Sequence, residues 1–401
     1  MTRRLRVAIA TAGRFHVLDL ARELHFLGYD VKFYSYVPLR RAVHFGLPAE
    51  CHVSLLPFAL PALALERFPV WIRPAFTEWL LYKALNHGLA MRLTACDILI
   101  CMSGIYLEAV KSAKRRFGAA VWLHRGSQHI LSVDRILATV PGAERPSPLT
   151  IERELAGYEL ADRIVVASKH VERSFVQHGT AQSKLFRNPY GVDLAMFPPQ
   201  KRERSNKTIT VIFTGNWSLQ KGCDLLTSAV RSVPDLKLVH VGAIGDLAFP
   251  KGDERFVHVD PVSQPELARF YAAGDLFVLA SRQDGFGAVL PQALASGLPV
   301  ICTDRTGGVD LAHTPTLAER IKIVPSGDLA ALVAAISELR GRLETGKCFP
   351  PPSDADRETL SWAAYGRRYA ERIAADFAQP AVLSDDRGQA PEKAARTGVP
   401  A

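Results

Sequence analysis

Residues 275–308, DLFVLASRQDGFGAVLPQALASGLPVICTDRTGG, carry an apolar strand into a Gly-rich turn, then a small-residue helix, then a second apolar strand. The pattern predicts a strand over 276–280 that ends at Ser281 and a helix over 288–296. Between them, Asp284-Gly285-Phe286-Gly287 lets main chain come close to a ligand, because glycine has no Cβ, and the free N–H groups that open the helix face the same turn. Asp284 and Gln292 stand eight residues apart. Helical spacing puts the amide about one turn into the helix, so acid and amide can address two polar parts of one bound molecule.

Outward from this stretch, short apolar runs alternate with helical patterns. They fall at 5–10, 31–36, 97–102, 119–124 and 163–167, and again at 208–214, 236–241, 256–259, 276–280 and 299–303. That alternation predicts two doubly wound, Rossmann-like parallel sheets. The chain of 401 residues exceeds the size at which one core stops growing, which fits two domains. A polar stretch, Lys201-Arg202-Glu203-Arg204-Ser205-Asn206, separates the two series. Expected boundaries are 1–195 for the first domain, 196–360 for the second, 361–377 for a closing helix and 378–401 for a solvated tail without apolar periodicity.

The strand at 208–214 delivers Gly215-Asn216-Trp217-Ser218-Leu219-Gln220-Lys221-Gly222 to the start of a helix. An ammonium and unpaired helical N–H groups at one place attract phosphate, the helix end contributing about 0.3–1 kcal/mol. After the first strand, Thr11-Ala12-Gly13-Arg14 forms a tight turn. After the strand at 119–124 comes Arg125-Gly126-Ser127-Gln128-His129, a concentration of polar groups where open α/β sheets bind ligands. Gly242 and Val262 end two further strands of the second half. Glu152, Glu154 and Glu159 read as a solvated helix face.

The 275–308 segment resembles the signature of the retaining family 4 (group 1) glycosyltransferases of the GT-B fold, written EGFG...EA.A.G.PV, with Asp284 and Gln292 in place of the two glutamates. The loop 215–222 is similar to the family's diphosphate grip, G.R....KG, with Asn216 where many members carry Arg. Asn188-Pro189-Tyr190-Gly191-Val192-Asp193 resembles the family's interdomain NGVD segment, and residues 361–369 its C-terminal helix.

The resemblance implies a GT-B fold with a cleft between two Rossmann-like domains and hexosyl transfer with retention from a UDP- or GDP-sugar, without cofactor or metal. It implies a saccharide or lipid-linked saccharide acceptor, as in polysaccharide or lipopolysaccharide synthesis of the cell envelope. The implied catalytic residues are Lys221, Asp284, His129 and Arg125. The implied donor-binding residues are Gly13, Arg14, Gly215, Asn216, Lys221, Gly222, Gly242, Val262, Asp284, Gly285, Phe286, Gly287 and Gln292. Two other readings stay open: a GT-B epimerase or phosphorylase, and a non-catalytic nucleotide-sugar-binding subunit, the latter suggested by Asn216 and Gln292.

Composition narrows the partners. The net charge of +9 lies wholly in the first half, where 25 Lys and Arg face 16 Asp and Glu, against 24 and 24 in residues 196–401. A basic half suits an anionic bilayer or acceptor. No nucleic-acid-binding module pattern is present. Phe58, Phe68, Trp71, Phe76 and Trp79 interleave with Arg40, Arg41, Arg67, Arg73, Lys83 and Arg92, a composition suited to peripheral membrane contact. The longest uncharged apolar run, 53–65, has 13 residues and two prolines, short of the ~20 that span a bilayer. Six cysteines without CxxC or zinc spacing fit reduced thiols, and the expected location is the cytoplasm, at the inner face of the membrane. The turn at 11–16 lacks GxGxxG, which excludes a nicotinamide oxidoreductase of the common kind.

Overall fold

The computed structural model describes residues 4–65, 74–199, 208–345, 349 and 352–378. The expected linker at 201–206 and tail, together with Arg67, Phe68, Trp71, Arg73 and Cys348, lie outside the described residues.

Seven strands form the first sheet: β1 (Arg6–Ala10), β2 (Asp30–Ser35), β3 (His52–Ser54), β4 (Ile98–Met102), β5 (Ala120–Arg125), β6 (Arg163–Val166) and β7 (Leu185–Arg187). Their order is β3-β2-β1-β4-β5-β6-β7. Six form the second: β8 (Ile209–Thr214), β9 (Leu236–Val241), β10 (Phe256–Val259), β11 (Leu276–Leu279), β12 (Val300–Thr303) and β13 (Ile321–Val324), ordered β10-β9-β8-β11-β12-β13. Pairing is parallel throughout both sheets. The central strands are apolar runs without alternation, as in Ile98 to Cys101, all fully buried, because helices cover both faces of a parallel sheet.

Strand order reverses between β1 and β4 in the first sheet and between β8 and β11 in the second. Helices leave opposite faces at such a point, so a crevice opens at the carboxyl ends of the strands. The Gly13 turn follows β1, the Lys221 loop follows β8 and the Asp284 turn follows β11. Topology therefore sets these segments at the two switch points.

One apolar cluster runs from the first sheet through Tyr190, Val192 and Phe197 into the second lobe. The chain crosses between lobes a second time near Ser361, beside Val192. Helix Trp362–Ala378 then packs on helix Phe15–Phe26 of the first lobe, where Gly366 lies so close that a Cβ there would come 2.5 Å from Glu23 Cβ. Arg368 Nε donates to Asn188 Oδ1 at 2.7 Å, and Arg163 forks onto the Asp376 carboxylate. Tyr365 and Tyr369 are fully buried, a burial worth about 2 kcal/mol for each ring.

Candidate functional site

The loop after β8 is built to present Lys221. Gly222 takes left-handed φ +68°, and a Cβ there would come 2.0 Å from the Ala280 carbonyl oxygen, so only glycine lets this loop lie against the end of β11. Arg282 staples the two loops: its guanidinium forks onto Asp224 and donates to Leu219 O at 2.8 Å. The result brings Lys221 Nζ to 2.6 Å from Asp284 Oδ2, with the two side chains 24% and 12% exposed. The candidate cation and acid form a partly buried pair that is neutral as a unit.

The Asp284 turn is also where the lobes touch. The Asp284 carbonyl accepts from His170 Nε2 at 2.7 Å and the Gly285 carbonyl from Ser168 Oγ at 2.5 Å, both from the first lobe. Gln283 Nε2 donates to Ser127 Oγ. Gly285 sits against Gly126 so tightly that a Cβ would fall 1.8 Å from its carbonyl oxygen. Phe286 is buried with its ring edge on Tyr190 at 5.3 Å, and Gly287 takes φ +81° at the turn.

Gln292 lies on helix Val289–Ala295, one residue shorter at each end than expected because Ala288 and Ser296 serve as its caps. Its Oε1 accepts from Tyr271 at 3.1 Å, and it lines a cavity of about 410 Å³ with Ala288 and Gln264 of the second lobe. The opposite wall is Arg14, His16 and Met102 of the first lobe. Arg14 is held over the Phe45 ring at 3.6 Å with Asp19 at 3.7 Å, and burial lowers its pKa. A Cβ on Gly13 would meet the Phe15 ring at 3.6 Å and Tyr36 Oη at 3.9 Å, ordinary contacts that do not demand a glycine.

Gly215 and Gly242 adopt φ +130° and +152° and stack so closely that a Cβ on Gly242 would come 2.0 Å from Gly215 O. Asn216 turns its amide over Gly245 and, with Ser218, Gln220 and Gln283, lines another interlobe cavity of about 360 Å³ facing Arg125 and Arg145. Val262 is half-buried and lines neither cavity.

Two expectations need correction. His129 does not face the cleft: it caps helix Ile130–Ala138, its ring accepting from Leu131 N–H, and stacks on His178 at 4.2 Å beside Tyr158 and Phe175. Burial, then His178 and Arg125, push its pKa down to about 4. Glu154 is no solvated residue: its carboxylate holds Arg125 at 2.7 Å with 7% exposure, while Glu152 and Glu159 are exposed. Burial opposes the charge on Arg125, and the Glu154 carboxylate with Tyr158 and Tyr190 together more than restores it. Arg125 does reach the cleft, between the 360 Å³ cavity and one of about 250 Å³ in the first lobe lined by Tyr82, Arg153 and Phe15.

The sequence reading missed His16. Its Nε2 lies 2.9 Å from His124 Nδ1, and His124 Nε2 lies 3.0 Å from Tyr369 Oη, a relay from the cavity to the C-terminal helix. Tyr190 stacks on the His16 ring at 4.2 Å. Burial pushes the His16 pKa down to about 3, which keeps the ring neutral near pH 7. The only sequence signal was its position just after the Gly13 turn. Phe15, beside it, holds an unusual φ of +36° and is 54% exposed between the 410 and 250 Å³ cavities. A bulky residue in that conformation stores strain of about 1–3 kcal/mol, a feature that clusters at ligand sites.

A crevice between two Rossmann-like lobes, with helix ends, a lysine and glycine turns at both switch points, defines a GT-B architecture. Among solved structures, the chain is similar to sucrose-phosphate synthase from Thermosynechococcus elongatus (TM-score 0.66, 18% identity, 94% of this chain and 100% of that one). It is also similar to the pneumococcal O-GlcNAc transferase GtfA in complex with UDP and GlcNAc (TM-score 0.64, 12% identity, 94% and 100%). Residues 208–341 match the family model described as glycosyl transferases group 1. Over 195 residues the chain is 29% identical to a D-inositol 3-phosphate glycosyltransferase of Pseudarthrobacter chlorophenolicus, covering 42% of this chain and 46% of that protein. The chain spans about half the length of the first curated relatives it matches. The fold of the whole chain is that of these two-lobed structures, and the match over residues 208–341 agrees with the resemblance to the group 1 glycosyltransferases.

Proposed function

We propose that this protein transfers a hexose-type sugar, with retention, from a nucleotide sugar bound in the interlobe cleft to a saccharide or lipid-linked saccharide acceptor. The carrying observation is the 410 Å³ cavity whose walls come from both lobes, with Gln292 and, at the amino end of its helix, Ala288 facing Arg14 and His16. An amide at a ribose, helical N–H groups and a guanidinium at a diphosphate are the partners such a donor requires.

As the sugar ionises, negative charge grows on the departing diphosphate, and stabilising that charge is the main catalytic task. Lys221 is the residue for it. Its ammonium pairs with the Asp284 carboxylate at 2.6 Å. Phosphate can take over the ammonium, which frees the carboxylate to accept from a sugar hydroxyl. The neutral His16 beside the cavity can serve as a hydrogen-bond partner without repelling a cationic anomeric centre. The adjacent 250 Å³ cavity, which shares Phe15, Met102 and Gly126 with the first, suits the acceptor. Arg153 there donates to the Gly104 and Ile105 carbonyls, which leaves its charge available to an anionic acceptor.

Anionic membrane contact would bring a lipid-linked acceptor to this cavity. It is supported by Leu60, Phe76 and Trp79, exposed on helices Leu56–Leu65 and Pro74–Arg92, with Tyr82 of the second helix lining the acceptor cavity. No described helix is long and apolar enough to cross a membrane.

The test is a thermal-shift screen of UDP-, GDP- and ADP-sugars, followed by nucleotide release with the stabilising donor and a saccharide or lipid extract. Product anomer analysis reads retention directly. A donor that binds without nucleotide release in any extract would favour the non-catalytic reading. Sedimentation with anionic vesicles at low salt tests the membrane contact, and absence of binding removes it.

A further inference from the structure

Beside the Asp284 turn, and lined by neither Lys221 nor Asp284, lies a cavity of about 230 Å³ that the proposed transfer does not use. Its first-lobe wall is Gln128 and helix Lys169–Gln177, and its second-lobe wall is the segment around Arg305 after β12. Lys169 and Arg173 are exposed and have no ion-pair partner among the described residues. Among the described residues Arg305 has only Asp304 as an ion-pair partner, at 4.0 Å. The other lining carboxylate, Asp310, is already satisfied, paired with Arg187 at 2.7 Å and accepting from Lys169 N–H. Gln128 is 1% exposed, and its Nε2 has no hydrogen-bond partner among the described residues. A buried amide donor without a partner costs about 1–3 kcal/mol unless a ligand or water meets it. Three cations from two lobes and an unused donor around a small polar recess are the recognition set of a compact anion.

We propose that this recess is a second anion site, distinct from the donor cleft, which binds a small soluble phosphomonoester and clasps the two lobes together. The cations lie on both sides of the seam, so a shared dianion adds attraction across it. His170 couples the recess to the turn. It lines the cavity, and its ring also bridges Ser168 Oγ at 3.0 Å and Asp284 O at 2.7 Å. Burial lowers the His170 pKa, and an anion beside it opposes that shift, toward the imidazolium, in which both ring N–H groups donate. The Ser168 hydroxyl is then free to donate to Gly285 O.

The probe is inorganic phosphate, titrated by calorimetry at fixed ionic strength into the full-length protein. Saturable binding is expected in the wild type. The double variant Arg173→Gln/Arg305→Gln should weaken it tenfold or more, while Lys221→Ala should leave it within about twofold. Thermal melting of each variant checks that it is folded, and both replaced arginines are exposed, so the double variant should melt near the wild type. The inference is overturned by absence of saturable binding, by binding that survives the double arginine variant, or by binding that disappears with Lys221→Ala, which would put the phosphate in the donor cleft. None of these outcomes depends on whether the protein transfers sugar.

Discussion

Gly285→Ala tests whether the observed contact between lobes is the working state. The added methyl would lie 1.8 Å from Gly126 O, 2.5 Å from its carbonyl carbon and 2.9 Å from Ser127 N. Ordinary carbon contacts need about 3.5 Å, so the turn and the 126–127 segment must separate by roughly 1.5 Å or more. That movement breaks the hydrogen bonds from His170 to Asp284 O, from Ser168 to Gly285 O and from Gln283 to Ser127. At about 1 kcal/mol each, the closed arrangement loses about 2–3 kcal/mol. The strands of each sheet lie outside the contact, so melting should change little. Expected results are kcat lowered about 30- to 150-fold, since 1.4 kcal/mol is tenfold, with a Tm within a few degrees of the wild type. The assay is nucleotide release from the donor that the thermal-shift screen identifies. Turnover within threefold of the wild type would refute the idea that this seam closes during catalysis.

Lys221→Ala should lower turnover by about 10² or more, the loss seen when one preorganised charge stabiliser worth about 3 kcal/mol is removed; near-normal nucleotide release would strip Lys221 of the role. Gln292→Ala should weaken donor binding, read as an increased dissociation constant for the nucleotide alone, and an unchanged constant removes the amide from the site. Glu154→Ala should cost about 3–5 kcal/mol in urea unfolding, because it leaves the buried Arg125 guanidinium unpaired; a cost below about 1 kcal/mol would show that the pair is solvated. His16 and His129 have folded pKa values depressed to about 3 and about 4, so the unfolded chain binds more protons than the folded one below about pH 6.5. Stability from these rings is present above about pH 6.5 and is lost as pH falls toward 4; unfolding curves that coincide at pH 7 and 5 would contradict their burial as neutral groups.

Long apolar runs made most of the fold readable. The predicted strands at 236–241 and 256–259 coincide with β9 and β10, and the other eight differ by a residue or so at their ends. The unread strands are β3, β7 and β13, of three or four residues each, all of them at sheet edges where half-buried positions blur the apolar signal. Lys221 and Asp284 were legible because glycines with positive φ or backbone-close Cβ directions mark their turns. Glu154 was not, since a glutamate on an amphipathic helix looks solvated until a distant strand end brings Arg125 to it. His129 failed in the opposite sense: a histidine after a strand reads as a ligand-facing group, and only the aromatic neighbours contributed by two other helices reveal a cap. His16 depends on His124 and Tyr369, more than a hundred and more than three hundred residues away, a spacing to which no local pattern responds.

The two chain passages between the lobes run side by side, Val192 bridged to Ser361 and Gly191 with no room for a Cβ against Trp362. Paired strips fastened at one place behave like the spine of a book: they bend about one axis and resist twisting about the others. The covers can therefore part and meet again in register, which returns the lysine of one leaf and the histidine of the other to the same page. Widening that spine, as with Gly191→Val, should change how far the covers open without altering either leaf, which spin labels placed one on each lobe would measure as a shifted distance distribution.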